Sequence, residues 1–114
     1  MRNRRWRTAA GLSALLGLAL AGCGERREFS PEELGHQVYR STCIACHHLD
    51  PTRDGPTGPA VDCSSRELLE ARIVRGEYPP GYVPKRPTRL MPPQPYLTEQ
   101  IPGLAAYLAS VCSE

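Results

Sequence analysis

Two of the five cysteines and two of the three histidines in this 114-residue chain fall in one stretch, Ser41-Thr42-Cys43-Ile44-Ala45-Cys46-His47-His48. A Cys-x-x-Cys pair serves three chemistries. It can exchange electrons as a dithiol, supply half of a zinc site, or anchor a haem when histidine follows directly. A thioredoxin-like dithiol belongs in a βαβ setting, and no strand pattern is visible. Zinc takes four ligands, and the other donors (Cys63, Cys112, His36, His48) lack the paired spacing of a zinc site. Cys43, Cys46 and His47 therefore read as the attachment site of one covalent haem c. Two thiols three residues apart reach the two vinyl groups of one haem edge. The next residue then stands over the iron, where an imidazole becomes an axial ligand.

Met91 is the candidate for the second axial position. The chain has two methionines, and the other is Met1. Met91 stands among Pro87, Pro92, Pro93 and Pro95, whose fixed φ angles hold a weak thioether donor with little entropy left to lose. A His/Met pair raises the reduction potential and leaves no open position on iron, which favours electron transfer over oxygen chemistry. His48 cannot reach the other haem face while its neighbour His47 holds this one. His36 is expected on the surface of the first helix.

The elements that must position these residues are helical. Ser30-Pro31-Glu32-Glu33 is a helix start with cap, proline and capping-box glutamate in order, and the helix is expected to run to about Thr42. Asp50–Pro59 is a loop by composition. Ser64-x-x-Glu67 reads as a second capping box, opening a helix that Gly76 closes. Seven prolines between Glu77 and Leu97 forbid helix or central strand, so this long loop must pack on something. A last helix is expected from about Thr98 to Cys112, with Ile101, Leu104, Ala105, Leu108 and Val111 at helical spacing.

The N-terminus carries targeting information. Met1–Arg7 holds four arginines, and Thr8–Gly22 is apolar, uncharged and too short to span a bilayer comfortably. That order is the form of a secretory signal peptide. Leu20-Ala21-Gly22-Cys23 resembles the lipobox of bacterial lipoproteins. The resemblance implies a signal peptide over 1–22, lipidation at Cys23, a tether over 23–29, and Sec-type export to a membrane-anchored position in the bacterial periplasm. Each acyl methylene buried in the membrane would contribute about 0.8 kcal/mol. The whole chain has net charge +2. The four arginines precede Cys23 and no acid does, so the chain from Cys23 onward carries −2. Its basic balance thus gives no support for nucleic-acid binding.

From Ser30 onward the chain resembles the class I monohaem cytochromes c. Gly35-x-x-x-Tyr39 precedes Cys43, Gly58-Pro59 follows His47, and "LMPP" precedes "YLTEQIPGLAAYL". The resemblance implies an all-α domain over 30–114, with about three main helices and long loops wrapping one covalently attached haem. It implies a close crossing of the first and last helices at Gly35, with Tyr107 as aromatic partner. It also implies that the Pro59 carbonyl accepts a hydrogen bond from the His47 ring, raising ligand basicity. The function it implies is a one-electron carrier, its iron cycling between Fe(II) and Fe(III), rather than an enzyme. The partner is then a periplasmic or membrane redox protein, with no small-molecule substrate. Two alternatives remain: a haem subunit of one specific oxidoreductase complex, or a ligand-binding or peroxidatic haem protein.

The cysteine count leaves Cys63 and Cys112, which an oxidising periplasm would bridge. Arg75, Lys85, Arg86 and Arg89 are candidates for haem propionates, for an acidic partner, or for a merely solvated loop. Tyr78, Tyr82 and Tyr96 are candidates for lining the haem site or bonding a propionate.

Overall fold

The computed structural model describes Gly24 and residues 26–112. The expected signal segment 1–22 and the lipidation candidate Cys23 lie outside the described residues. Among the described residues the chain is all-helical, with three helices and no strand. No described helix is long and apolar enough to cross a membrane.

Helix α1, Pro31–Val38, begins as its sequence dictates. The Ser30 hydroxyl accepts the Glu33 amide at 3.1 Å, and the Glu33 carboxylate accepts the Ser30 amide at 2.8 Å. Two amides that no helical carbonyl can reach are thereby satisfied. The bond from the Ser30 amide, with Arg27 beside it, holds the Glu33 carboxyl below its ordinary range. The helical path then widens into a π-helical turn, Tyr39–Cys43, and so carries the chain to the first cysteine of the motif. Its end is closed by the His47 amide, which donates to the Cys43 carbonyl at 2.9 Å.

Helix α2, Arg66–Leu69, continues as a π-helical turn, Glu70–Arg75. Its start corrects the expected capping box. Ser65 is the cap, accepting the Leu68 amide at 3.1 Å. The Ser64 hydroxyl instead donates to the Val61 carbonyl at 2.6 Å. The Leu108 carbonyl holds the Cys63 amide, and Ser64 closes the turn that follows Val61, so the helix begins one residue later. Gly76 ends it at φ 72°, the left-handed conformation that glycine adopts without a Cβ penalty.

Helix α3, Ile101–Ser110, starts three residues later than expected, because Pro95–Gln100 forms a 3₁₀ helix. The Thr98 hydroxyl donates to the Pro95 carbonyl at 2.7 Å within that turn and does not cap a helix. Pro102 falls in the first turn of α3, where a missing amide leaves no intrahelical bond unmade.

Helices α1 and α3 cross closely. A Cβ on Gly35 would run into the Gly103 carbonyl and stand 2.8 Å from the Leu104 nitrogen, and one on Gly103 would stand 2.9 Å from the Pro31 oxygen. Behind the crossing lies one small core of Tyr39, Leu69, Ile73, Leu97, Ile101, Leu104, Tyr107 and Leu108. The Tyr39 and Tyr107 rings meet at 5.6 Å, the aromatic pairing expected of these helices. Tyr39 is 1% exposed and its hydroxyl donates to the His48 carbonyl at 2.7 Å, so the core reaches the Cys-x-x-Cys-His segment directly.

Candidate functional site: an apolar cleft at the Cys-x-x-Cys-His segment

A cleft of about 1000 Å³, counting its open mouth, lies beside the core. Several parts of the chain line it. Cys43, Cys46 and His47 come from the end of the first helical path, and residues 57–61 from the loop that follows. Tyr78, Tyr82, Leu90 and Met91 come from the proline-rich segment, with Leu69, Ile73, Leu104 and Leu108 of the core behind them. This is the apolar setting that binds flat organic groups and keeps water from them.

The His47 ring is held on two sides. A Cβ on Gly58 would lie 2.6 Å from Nδ1 and 2.9 Å from Nε2, so only glycine lets the imidazole rest there. Nδ1 lies 2.8 Å from the Pro59 carbonyl oxygen. A carbonyl only accepts, so Nδ1 carries the proton and Nε2 keeps its lone pair for a metal. The Pro59 loop is itself anchored to the motif. The Thr57 and Gly58 amides both donate to the Cys46 carbonyl, at 3.2 and 2.8 Å. The Asp54 carboxylate accepts the Ala60 amide at 2.8 Å, and that bond, aided by nearby Arg86, holds the Asp54 carboxyl below its usual range.

The two motif cysteines are not equivalent. Cys46 is exposed, whereas Cys43 is half-buried against the core. Burial pushes the Cys43 thiol up to about 11, so without an attached group it is a neutral thiol at neutral pH.

Met91 is half-buried and packed against the core. Its loop is fastened to the end of α2. The Arg72 guanidinium donates through Nη1 to the Gly76 carbonyl at 2.8 Å and through Nη2 to the Met91 carbonyl at 3.0 Å. The Gln94 amide donates to the Ile73 carbonyl, and Pro93 packs so close to Gly76 that a Cβ there would lie 2.8 Å from the ring Cγ. Sequence reasoning does not single out Arg72. The available signal was its place four residues after Leu68, a cation on a face otherwise reading as apolar.

The remaining candidates divide. Lys85, Arg86, Tyr78 and Tyr82 line the cleft, whereas Arg75, Arg89 and Tyr96 do not. Lys85 donates to the Ala60 carbonyl at 2.9 Å and Arg86 to the Thr57 carbonyl at 2.9 Å, with Asp54 3.5 Å from the Arg86 guanidinium. These two cations therefore strap the segment that carries Met91 to the loop that carries Pro59. Tyr78 and Tyr82 stack at 5.4 Å with planes 9° apart. Arg75 is exposed and 3.6 Å from Glu77, and Tyr96 is exposed with its hydroxyl donating to Gln94. His48 Nδ1 accepts the Asp50 amide at 2.9 Å, and His36 is exposed with its ring on Tyr107 at 4.8 Å. Cys63 and Cys112 are joined by a disulfide, their Cα atoms 4.7 Å apart.

The residues present fit a haem c. Two thiols, an imidazole with its lone pair free and a thioether line one apolar cleft, and glycine leaves the imidazole its place. The family model for cytochrome c matches residues 32–111. The chain belongs to the cytochrome c family. Members bind haem c covalently and carry electrons on it, with other redox proteins as partners. The match begins in the first turn of α1 and ends one residue past α3, so it spans every helix described above. Comparisons with curated proteins and with solved structures returned no match.

Proposed function

We propose that this chain is a class I monohaem member of the cytochrome c family, acting as a one-electron carrier tethered to a membrane in the bacterial periplasm. The observation that carries the reading is convergence. Cys43, Cys46, His47 and Met91, separated by up to 48 residues of sequence, line one apolar cleft. Haem c would supply an iron that gains and loses one electron. Cys43 and Cys46 would hold it by thioether bonds, with His47 Nε2 and the Met91 sulfur as axial ligands. Pro59 would keep His47 in the ligating tautomer through Nδ1. With both residues bound, the metal would have no place left for a substrate, which supports a carrier over an enzyme.

The anchor rests on sequence. A basic segment, an apolar segment and Leu-Ala-Gly-Cys in succession support cleavage before Cys23 and lipidation at it. The tether that follows is short and exposed where it is described. It would confine the domain near membrane redox enzymes and raise its effective concentration there.

A second reading, a haem subunit of one oxidoreductase complex, has an observation in its favour. Leu90, which lines the cleft, is 69% exposed, and Ile44 between the two motif cysteines is exposed as well. Copurification with a stoichiometric partner would support the complex. Monomeric protein that passes electrons to several small redox proteins would support the carrier. The attachment itself is tested by denaturing the purified protein in acid and extracting with organic solvent. Haem should stay with the chain in the wild type and leave it in Cys43→Ala/Cys46→Ala. Haem extracted quantitatively from the wild type would overturn the reading.

A further inference from the structure

We propose that Arg72 is the positioning residue of the Met91 loop, holding the backbone of the methionine against the end of α2. The inference rests on the reading of Met91 as an axial ligand. A thioether is a weak donor, and its hold on iron depends on how little freedom the loop loses when it binds.

The geometry of Arg72 is that of a clamp. One fork of its guanidinium bonds the carbonyl that ends α2, and the other bonds the carbonyl of Met91 itself. The planar group also lies over the Tyr78 ring at 5.0 Å, within the roughly 6 Å range of a cation–π contact. Tyr78 in turn stacks on Tyr82, so the clamp grips the proline-rich segment near its beginning as well as at Met91. Among the described residues Arg72 makes no salt bridge. Within the chain its partners are two carbonyl oxygens and a ring face, and the side chain also lines the cleft itself. Swinging Met91 away would strip the half-buried guanidinium of one of its two carbonyl partners, which opposes opening. The other fastenings lie to either side: Lys85 and Arg86 before the methionine, Pro93 and Gln94 after it. Lysine would keep the charge but not the planar fork or the stacking face.

The test is displacement of the thioether from the ferric holoprotein by imidazole, followed by loss of the sulfur-to-iron absorption band. Arg72→Met and Arg72→Lys should each need at least tenfold less imidazole for half-loss than the wild type, with covalent haem content unchanged. Tyr78→Leu should fall between. Ile101→Val, a core change remote from the clamp, should destabilise the fold yet leave the midpoint alone. If Arg72→Met does not accumulate as folded protein, Arg72→Lys and Tyr78→Leu decide. Wild-type behaviour in Arg72→Lys would overturn the clamp in favour of a bare charge effect, and equal midpoints throughout would overturn any role. A wild type without the band, or Met91→Ala with it, would overturn the Met91 reading and this inference with it. A band lost in Met91→Ala but indifferent to the arginine and tyrosine changes would overturn the clamp alone.

Discussion

Replacing Gly58 by alanine inserts one methyl group beneath the His47 ring, and the structure fixes what that does. The added Cβ would run into Cε1 and stand 2.6 Å from Nδ1, where ordinary contact begins at 3.4 Å, so ring and loop must part by at least about 0.8 Å. The bond from Nδ1 to the Pro59 carbonyl is 2.8 Å. Displaced along that bond, Nδ1 would lie about 3.6 Å from the oxygen, which is no longer a hydrogen bond. The bond is worth roughly 0.5–1.5 kcal/mol. In the proposed haem site that bond would make the imidazole a stronger donor and favour ferric iron, so its loss should raise the reduction potential. If the whole amount separates the two oxidation states, the shift is at most about 65 mV, at 59 mV per tenfold for one electron. Spectroelectrochemical titration of Gly58→Ala against the wild type measures it directly. Pro59→Ala is the control, because it keeps the accepting carbonyl, and it should shift the potential by much less. An unchanged or lowered potential in Gly58→Ala would refute the argument that Pro59 tunes the ligand.

Three further outcomes follow from the fold. The Cys63–Cys112 bridge closes a loop with a sequence separation of 49, which the chain-entropy model converts to about 4 kcal/mol, so urea unfolding of Cys63→Ser/Cys112→Ser should show a loss of that order. Ser65→Ala should cost about 1 kcal/mol as the loss of a helix cap, and by more than Glu67→Gln, whose side chain closes no capping box. Burial holds the Tyr39 phenol above its ordinary value of 10.0, so it stays protonated in the fold after the unfolded chain has ionised. Stability is therefore full below about pH 10 and falls as pH rises past it. Tyr39→Phe should flatten that alkaline limb in pH-dependent unfolding.

Much of the site was legible because its signals are local. Cys43, Cys46 and His47 are read by spacing alone, and Ser30 with Glu33 closes a capping box within four residues. Gly76 takes the left-handed conformation its position called for. Met91 stood out because proline rings flank it and no other methionine lies past the N-terminus. Other features depend on which carbonyl or amide a side chain meets once the chain is folded. Ser64 and Ser65 are equal as caps by type, and the Leu108 carbonyl, by holding Cys63, selects the second. Thr98 looks like a cap until Pro95 offers its carbonyl to the hydroxyl. Lys85 and Arg86 bond carbonyls 25 and 29 residues away, and Arg72 bonds one 19 residues away. No window of sequence reports such pairs.

The proposed function stands on His47 and Met91 together holding the iron of a one-electron carrier. Absorption spectra of the purified holoprotein in both oxidation states, wild type beside Met91→Ala, test it most directly. The expected result is a covalently bound haem, a reversible one-electron change, and a sulfur-to-iron band in the ferric wild type that Met91→Ala abolishes. A band that survives in Met91→Ala, or a wild type whose ferrous haem binds carbon monoxide freely at neutral pH, would contradict it.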